Sequence, residues 1–148
     1  MLEKTGRIDI GRIDKLIPTF AGDKGILLAF LFGSHAHGEG SAMSDVDLAL
    51  LLAPSVLPDN YLDYRSRYFS LAAHTLQDDR IDVVILNTAP PLLAHEALKG
   101  RVLFERSPEA RVAYMVNVQR KYLDLKYLYA LDYSYMRKRL KEGTFGQP

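Results

Sequence analysis

Apolar residues recur along this chain in two rhythms, helical spacing and short continuous runs. Ile10, Ile13, Leu16, Ile17 and Phe20 come at helical spacing and predict a short amphipathic helix. A turn over 21–25 follows. Residues 26–32, Ile-Leu-Leu-Ala-Phe-Leu-Phe, are continuously apolar. That run is too short and unbroken for a surface helix and predicts a buried strand. Gly33 and Ser34, then Gly38-Glu39-Gly40, break it. A second apolar run predicts a strand over 45–52. A loop at 54–58 leads to a helix over 61–76, with Asn60 as N-cap and Leu62, Tyr68, Leu71 and Ala72 available for its buried face. Residues 81–86, rich in β-branched side chains, predict a third strand. Pro90-Pro91 opens a helix ending near Gly100, and 102–104 form a short edge strand.

Ser107-Pro108-Glu109 supplies a cap, a first-turn proline and an acid, a strong start for a helix running to about Lys141. Met115, Val118, Tyr122, Leu125, Tyr129, Tyr133, Met136 and Leu140 form a stripe along it. Val116, Leu123, Leu128, Leu131 and Tyr135 widen that stripe beyond what so small a domain can cover. Packing on the sheet accounts for the first half; an intermolecular contact is expected of the second, where tyrosines offer rigid contact area. Arg137, Lys138, Arg139 and Lys141 suit both an acidic partner and the negative end of a helix dipole. Together these elements predict an α+β fold with a small mixed sheet flanked by helices. One domain is expected over 1–148, with its core at about 10–106 and a C-terminal helical segment at about 107–142.

Composition narrows the class. A chain of 148 residues with 48% apolar and 25% charged residues suits one soluble domain with a real core. Net charge is +1, so no overall field demands nucleic acid. The absence of Cys excludes a disulfide framework and thiol catalysis. The apolar runs fall far short of the ~20 residues of a membrane helix, and the first residues lack the apolar stretch of a signal peptide. A cytoplasmic protein is the expectation.

Two carboxylates head the second strand. Residues two apart on a strand share a face, about 6.6 Å apart, so Asp45 and Asp47 project together with Val46 turned to the core. Convergent carboxylates are costly unless a cation sits between them, and their oxygens suit Mg²⁺. Gly33 lets backbone approach a ligand, and Ser34 adds a hydroxyl and an N–H. Asp82 heads the third strand as Asp45 heads the second, and closes a carboxylate triad if the strands are neighbours. His35 and His37 share one loop, but the carboxylates favour a hard oxygen site over zinc. Ser44 reads as a turn cap, and His74, His95 and Glu96 as structural. Arg65, Arg67, Lys99 and Arg101 are equal candidates to steady a triphosphate.

Gly33-Ser34, ten residues, then Asp45-x-Asp47 resembles the signature of nucleotidyltransferases of the DNA polymerase β superfamily. The stretch 82–104 is similar to minimal nucleotidyltransferases that act as antitoxins beside HEPN-domain toxins. The resemblance spans about 25–114. His37 departs from it, since many relatives carry Arg there; a nucleotide-phosphate contact is the expectation for His37.

The resemblance implies a polymerase β-type fold, with Asp45, Asp47 and Asp82 as catalytic metal ligands for two Mg²⁺ ions. Gly33 and Ser34 would hold the triphosphate. It implies transfer of AMP from ATP to a tyrosine of a HEPN toxin, neutralising it in a hetero-oligomer made through the C-terminal helix. The chain lacks a thumb, a template-binding module and a basic groove, so no nucleic-acid partner is expected. The alternatives are a small-molecule, antibiotic-type nucleotidyltransferase and a non-catalytic antitoxin that inhibits by binding.

Overall fold

In a computed structural model, residues 8–33 and 45–141 are described; Ser34, His35, His37 and Ser44 lie outside the described residues. A 3-10 segment Ile10–Leu16 runs into α1, Ile17–Gly22. Strands β1, Ile26–Phe32, and β2, Val46–Leu52, follow. A 3-10 turn, Pro58–Asn60, leads to α2, Tyr61–Leu76. Then come β3, Ile81–Ile85, the 3-10 turn Leu86–Thr88, α3, Pro91–Leu98, and β4, Arg101–Glu105. The chain continues into α4, Pro108–Lys141. No helix among the described residues is long and apolar enough to cross a membrane.

The four strands stand in the order β3-β2-β1-β4. β1 is antiparallel to both β2 and β4, while β2 and β3 are parallel, joined by α2 as the crossover helix. The sheet is therefore mixed, with helices on both faces, as expected. Burial on both sides explains why β1 and β2 read as unbroken apolar runs rather than alternating ones. Val46, Leu48, Leu50 and Leu52 pack with Ile13, Leu16, Phe20, Tyr68 and Ala72 on one face. Leu28, Phe30, Phe32 and Ala49 pack with Ala94, Ala97 and Val118 on the other. A register shift between Ile26 and Leu28 changes the parity of β1, so Ile26 joins the first face although Leu28 and Phe30 face the second.

Several local expectations need correction. The first helix begins as a 3-10 segment. Asp45 precedes β2 rather than opening it, and Leu86 has left β3 for a 3-10 turn. There the Asn87 side chain replaces strand pairing: its amide accepts from Leu52 N at 2.8 Å and donates to Leu52 O at 2.9 Å. Asn60 stands at the cap of α2 without a side-chain bond. The buried face of α2 is carried by Tyr68, Ala72, Ala73 and Leu76; Leu62 is not in it but 69% exposed. The core face of the first turn is taken by Tyr61 and Tyr64, in line with Tyr68 and Ala72, and Leu62 lies about a quarter-turn away from it.

Ser107 caps α4 through a bond from Ala110 N to its Oγ at 3.1 Å. Val118 is buried, and His95 of α3 stacks face to face on Tyr122, with centroids 3.5 Å apart and planes 2° apart. Beyond that point the apolar positions open to solvent: Leu123, Tyr127, Leu128, Tyr129, Leu131 and Tyr135 are all more than half exposed. The side chains of Tyr133, Met136 and Leu140 lie outside the described residues.

Candidate functional site

The start of β2 is fixed to the start of β3 by a bond from Val46 N to Arg80 O, 2.9 Å. From there the parallel register runs Val46 with Ile81, Asp47 with Asp82 and Leu48 with Val83. Val46 and Ile81 are buried on the α2 face. Strand alternation therefore turns Asp47 and Asp82 to the opposite face, side by side on adjacent strands about 4.8 Å apart. Asp45 lies just outside the strand and is exposed. Thus the neighbouring strands on which a role for Asp82 depended are present.

Gly33 ends β1 with φ +78°, a left-handed conformation that glycine adopts without strain. Phe32 is the β1 partner of Asp47, which puts Gly33 against the Asp47 carboxylate. A Cβ at Gly33 would collide with Asp47 Oδ2. The absent side chain thus leaves room for that carboxylate beside Gly33. Ser34 and His37, expected to touch phosphate, lie outside the described residues.

Positive charge stands on both sides of the acids. Arg80 bonds Asp78 from Nε, 3.0 Å, and Nη2, 2.8 Å. That bond holds the guanidinium above its ordinary pKa, against the effect of desolvation, and the fields of Asp78, Asp45 and Asp79 add to it. Arg65 of α2 places Nη2 3.7 Å from Asp82 Oδ1, an exposed pair. The four candidate cations now separate. Arg67 pairs with Asp23, Lys99 with Glu96 and Arg101 with Asp14; of these four, Arg65 is the one beside a candidate site acid. No group of three or more His, Asp or Glu among the described residues is drawn together closely enough to hold a metal ion as it stands.

Asp82 also opens onto a cleft of ≈ 400 Å³ between the first turn of α2 and the start of α3. Tyr61, Leu62, Val84, Ala89 and Leu93 line it, with Arg65 at the same end as Asp82. A second groove of ≈ 360 Å³ shares Leu62, Arg65, Asp82 and Val83 and runs on along α2 past Ser66 and Phe69. Neither groove was foreseen from sequence; the one signal, a leucine at 62 beside Arg65 on a helix start, reads equally well as core.

The sequence profile of the Polymerase beta, Nucleotidyltransferase family matches residues 14–109. The chain belongs to that family. The match takes in β1, the turn, β2, α2 and β3, the elements that carry Gly33, Asp47 and Asp82. No curated protein sequence matches this nucleotidyltransferase significantly.

Solved structures do. A chain of a toxin–antitoxin complex with AMP-PNP is 23% identical with a TM-score of 0.66, over 87% of this chain and 99% of that one. A chain of the toxin–antitoxin MntA–HpeT carrying two Asp-to-Glu changes, two positions apart, is 22% identical with a TM-score of 0.67, over 83% and 98%. A chain from the tri-AMPylated Shewanella oneidensis HEPN toxin in complex with MNT antitoxin is 20% identical with a TM-score of 0.61, over 83% and 95%. Likeness at this identity establishes the fold: the expected polymerase β-type fold with its long C-terminal helix is the one observed.

Proposed function

We propose that this nucleotidyltransferase is an antitoxin that moves AMP from ATP to a tyrosine hydroxyl of a HEPN toxin. The observation that carries the reading is the alignment of Asp47 and Asp82 across β2 and β3, with Gly33 closed against Asp47. Family membership supports the reaction class, and the likeness to toxin–antitoxin complexes, one with AMP-PNP and one with a tri-AMPylated HEPN toxin, supports donor and acceptor.

Asp45, Asp47 and Asp82 are the groups that would hold Mg²⁺. Their donor set is hard oxygen, and the space kept clear at Gly33 lets the Asp47 carboxylate face the turn. Bound there, Mg²⁺ neutralises triphosphate and pyrophosphate charge and favours the ionised acceptor. The Gly33-Ser34 turn and His37 would receive the phosphates. Asp82 would take the phenolic proton as the phenol oxygen bonds to the α-phosphorus. The bond from that phosphorus to the bridging oxygen breaks, and pyrophosphate leaves. A phenol of pKa ~10 needs only modest help to ionise.

The exposed half of α4 is the surface we assign to the toxin. Its uncovered leucines and tyrosines also favour a second reading, inhibition by covering the toxin without modifying it. Intact-mass measurement of a cognate HEPN toxin after incubation with this protein, ATP and Mg²⁺ separates the two. The expected result is a gain of one or more AMP units, absent with Asp82→Ala. An inhibited but unmodified toxin would establish the second reading.

A further inference from the structure

We infer that the cleft between α2 and α3 is an acceptor slot for a phenolic side chain. This rests on the transfer reaction proposed above and adds how the acceptor is recognised. The cleft's floor is the outer strand β3, where Asp82 and Val84 share a face, about 6.6 Å apart. Asp82 stands at one end of the slot; Val84, Ala89 and Leu93 make the rest apolar. The occupant that matches is flat and apolar along its length and carries one polar atom at its tip. A tyrosine ring laid over Val84 directs its hydroxyl to Asp82. An aliphatic hydroxyl on a short side chain would leave the apolar length of the slot unfilled.

Two further observations fit an acceptor carried by a protein chain. Leu62, at the mouth, is 69% exposed, an apolar wall that folding alone does not use. The cleft also continues past Arg65 into the second groove, where Phe69 is 37% exposed, so the chain bearing the tyrosine has an apolar track along α2. The competing occupant is the adenine base of the donor. Gly33 lies beyond β2, with Asp47 between it and the cleft, so phosphates received at Gly33 would approach the acids from the side opposite the slot.

Methyl NMR of the full chain tests occupancy without requiring turnover. N-acetyl-tyrosinamide should shift the methyls of Leu62, Val84 and Leu93, and Mg-AMP-PNP alone should not. Methyls that respond to AMP-PNP and not to the phenol would overturn the inference in favour of a base site, and methyls that respond to neither would overturn it outright.

Steady-state transfer is the second readout. Leu62→Asp and Ala89→Leu alter opposite walls, the first at an exposed position and the second at one partly buried against the second core cluster, so a melting curve near wild type is required of each. Each should raise KM for N-acetyl-tyrosinamide by about tenfold, Leu62→Asp by removing an apolar contact and Ala89→Leu by narrowing the slot, and lower the preference for it over N-acetyl-serinamide. Acceptor KM and preference equal to wild type in both variants would overturn the slot. Phenol binding with no AMP transfer from wild-type protein would overturn the transfer reading and leave the slot standing.

Discussion

Most of the site's geometry depends on single residues whose alternatives are excluded by space. Gly33→Ala forces an L side chain into φ +78° and against Asp47. The strain is about 1–2 kcal/mol, which the fold can absorb. The displaced carboxylate is the larger loss: a shift of about 1 Å lowers transfer by roughly 100-fold. A melting curve near wild type with AMP transfer down by that factor is the expected pair of measurements. Arg65 offers a second test. Arg65→Ala should lower kcat/KM for AMP transfer by roughly 10-fold or more, whereas Lys99→Ala and Arg101→Ala, whose charges are spent on Glu96 and Asp14, should leave it near wild type. Equal losses in all three would show that Arg65 has no special place. Composition gave no means of ranking these cations, because the distinction lies in which acid each meets; Lys99 meets Glu96 one helical turn away, but the acids met by Arg65, Arg67 and Arg101 are remote in sequence. The spacing of Asp45 and Asp47 marks them as candidates in the sequence, although Asp45 stands just outside the strand. Asp82 needed the parallel pairing of β2 with β3.

At the scale of elements, α4 has two unequal halves. Through Tyr122 it is bound to the sheet and to α3 by Val118 and by the stack on His95. Beyond, Leu123, Tyr127, Leu128, Tyr129 and Leu131 are more than half exposed. Truncation after Leu125 should therefore move the melting temperature by no more than about 3 °C while weakening toxin capture in a pull-down by at least about tenfold. Collapse of the melt would place the segment in the core. The strands were the most readable elements, since burial on both faces writes an unbroken apolar run. Helix α2 was readable in extent and, except at Leu62, in facing. Tyr68 and Ala72 are buried and Leu71 packs on the core as expected, but Leu62 is exposed, its place taken by Tyr61 and Tyr64 one helical step away. The Asn87 amide bridging both backbone groups of Leu52 had no signal in sequence at all.

For the molecule as a whole, two tyrosines, Tyr68 buried and Tyr114 partly buried, set an alkaline limit on stability. Burial pushes Tyr114 up to about 12, and burial with the bond to Asp23 raises Tyr68 as well. Both phenols ionise near 10 once unfolded, so the native state holds more protons above that pH, and stability falls as pH rises from about 10 to 12. Below 10 neither contributes any slope. Melting temperature against pH should show this decline, and Tyr114→Phe should flatten part of it; an unchanged slope would mean Tyr114 ionises freely in the folded protein. The central position of β1 has a consequence of another kind, for the order in which the molecule is assembled. Its partner β2 follows closely in sequence, but β4 returns only at residue 101. A chain emerging from its N-terminus therefore presents Gly33 and all three acids while one edge of β1 still lacks its neighbour. Closure comes with Arg106, whose guanidinium gathers the carbonyls of Phe20, Ala21, Asp23 and Ile26 and whose N–H bonds Leu27 O. Synthesis interrupted before that residue would release a sticky half-sheet, so the last strand to arrive protects the nascent protein from its own kind.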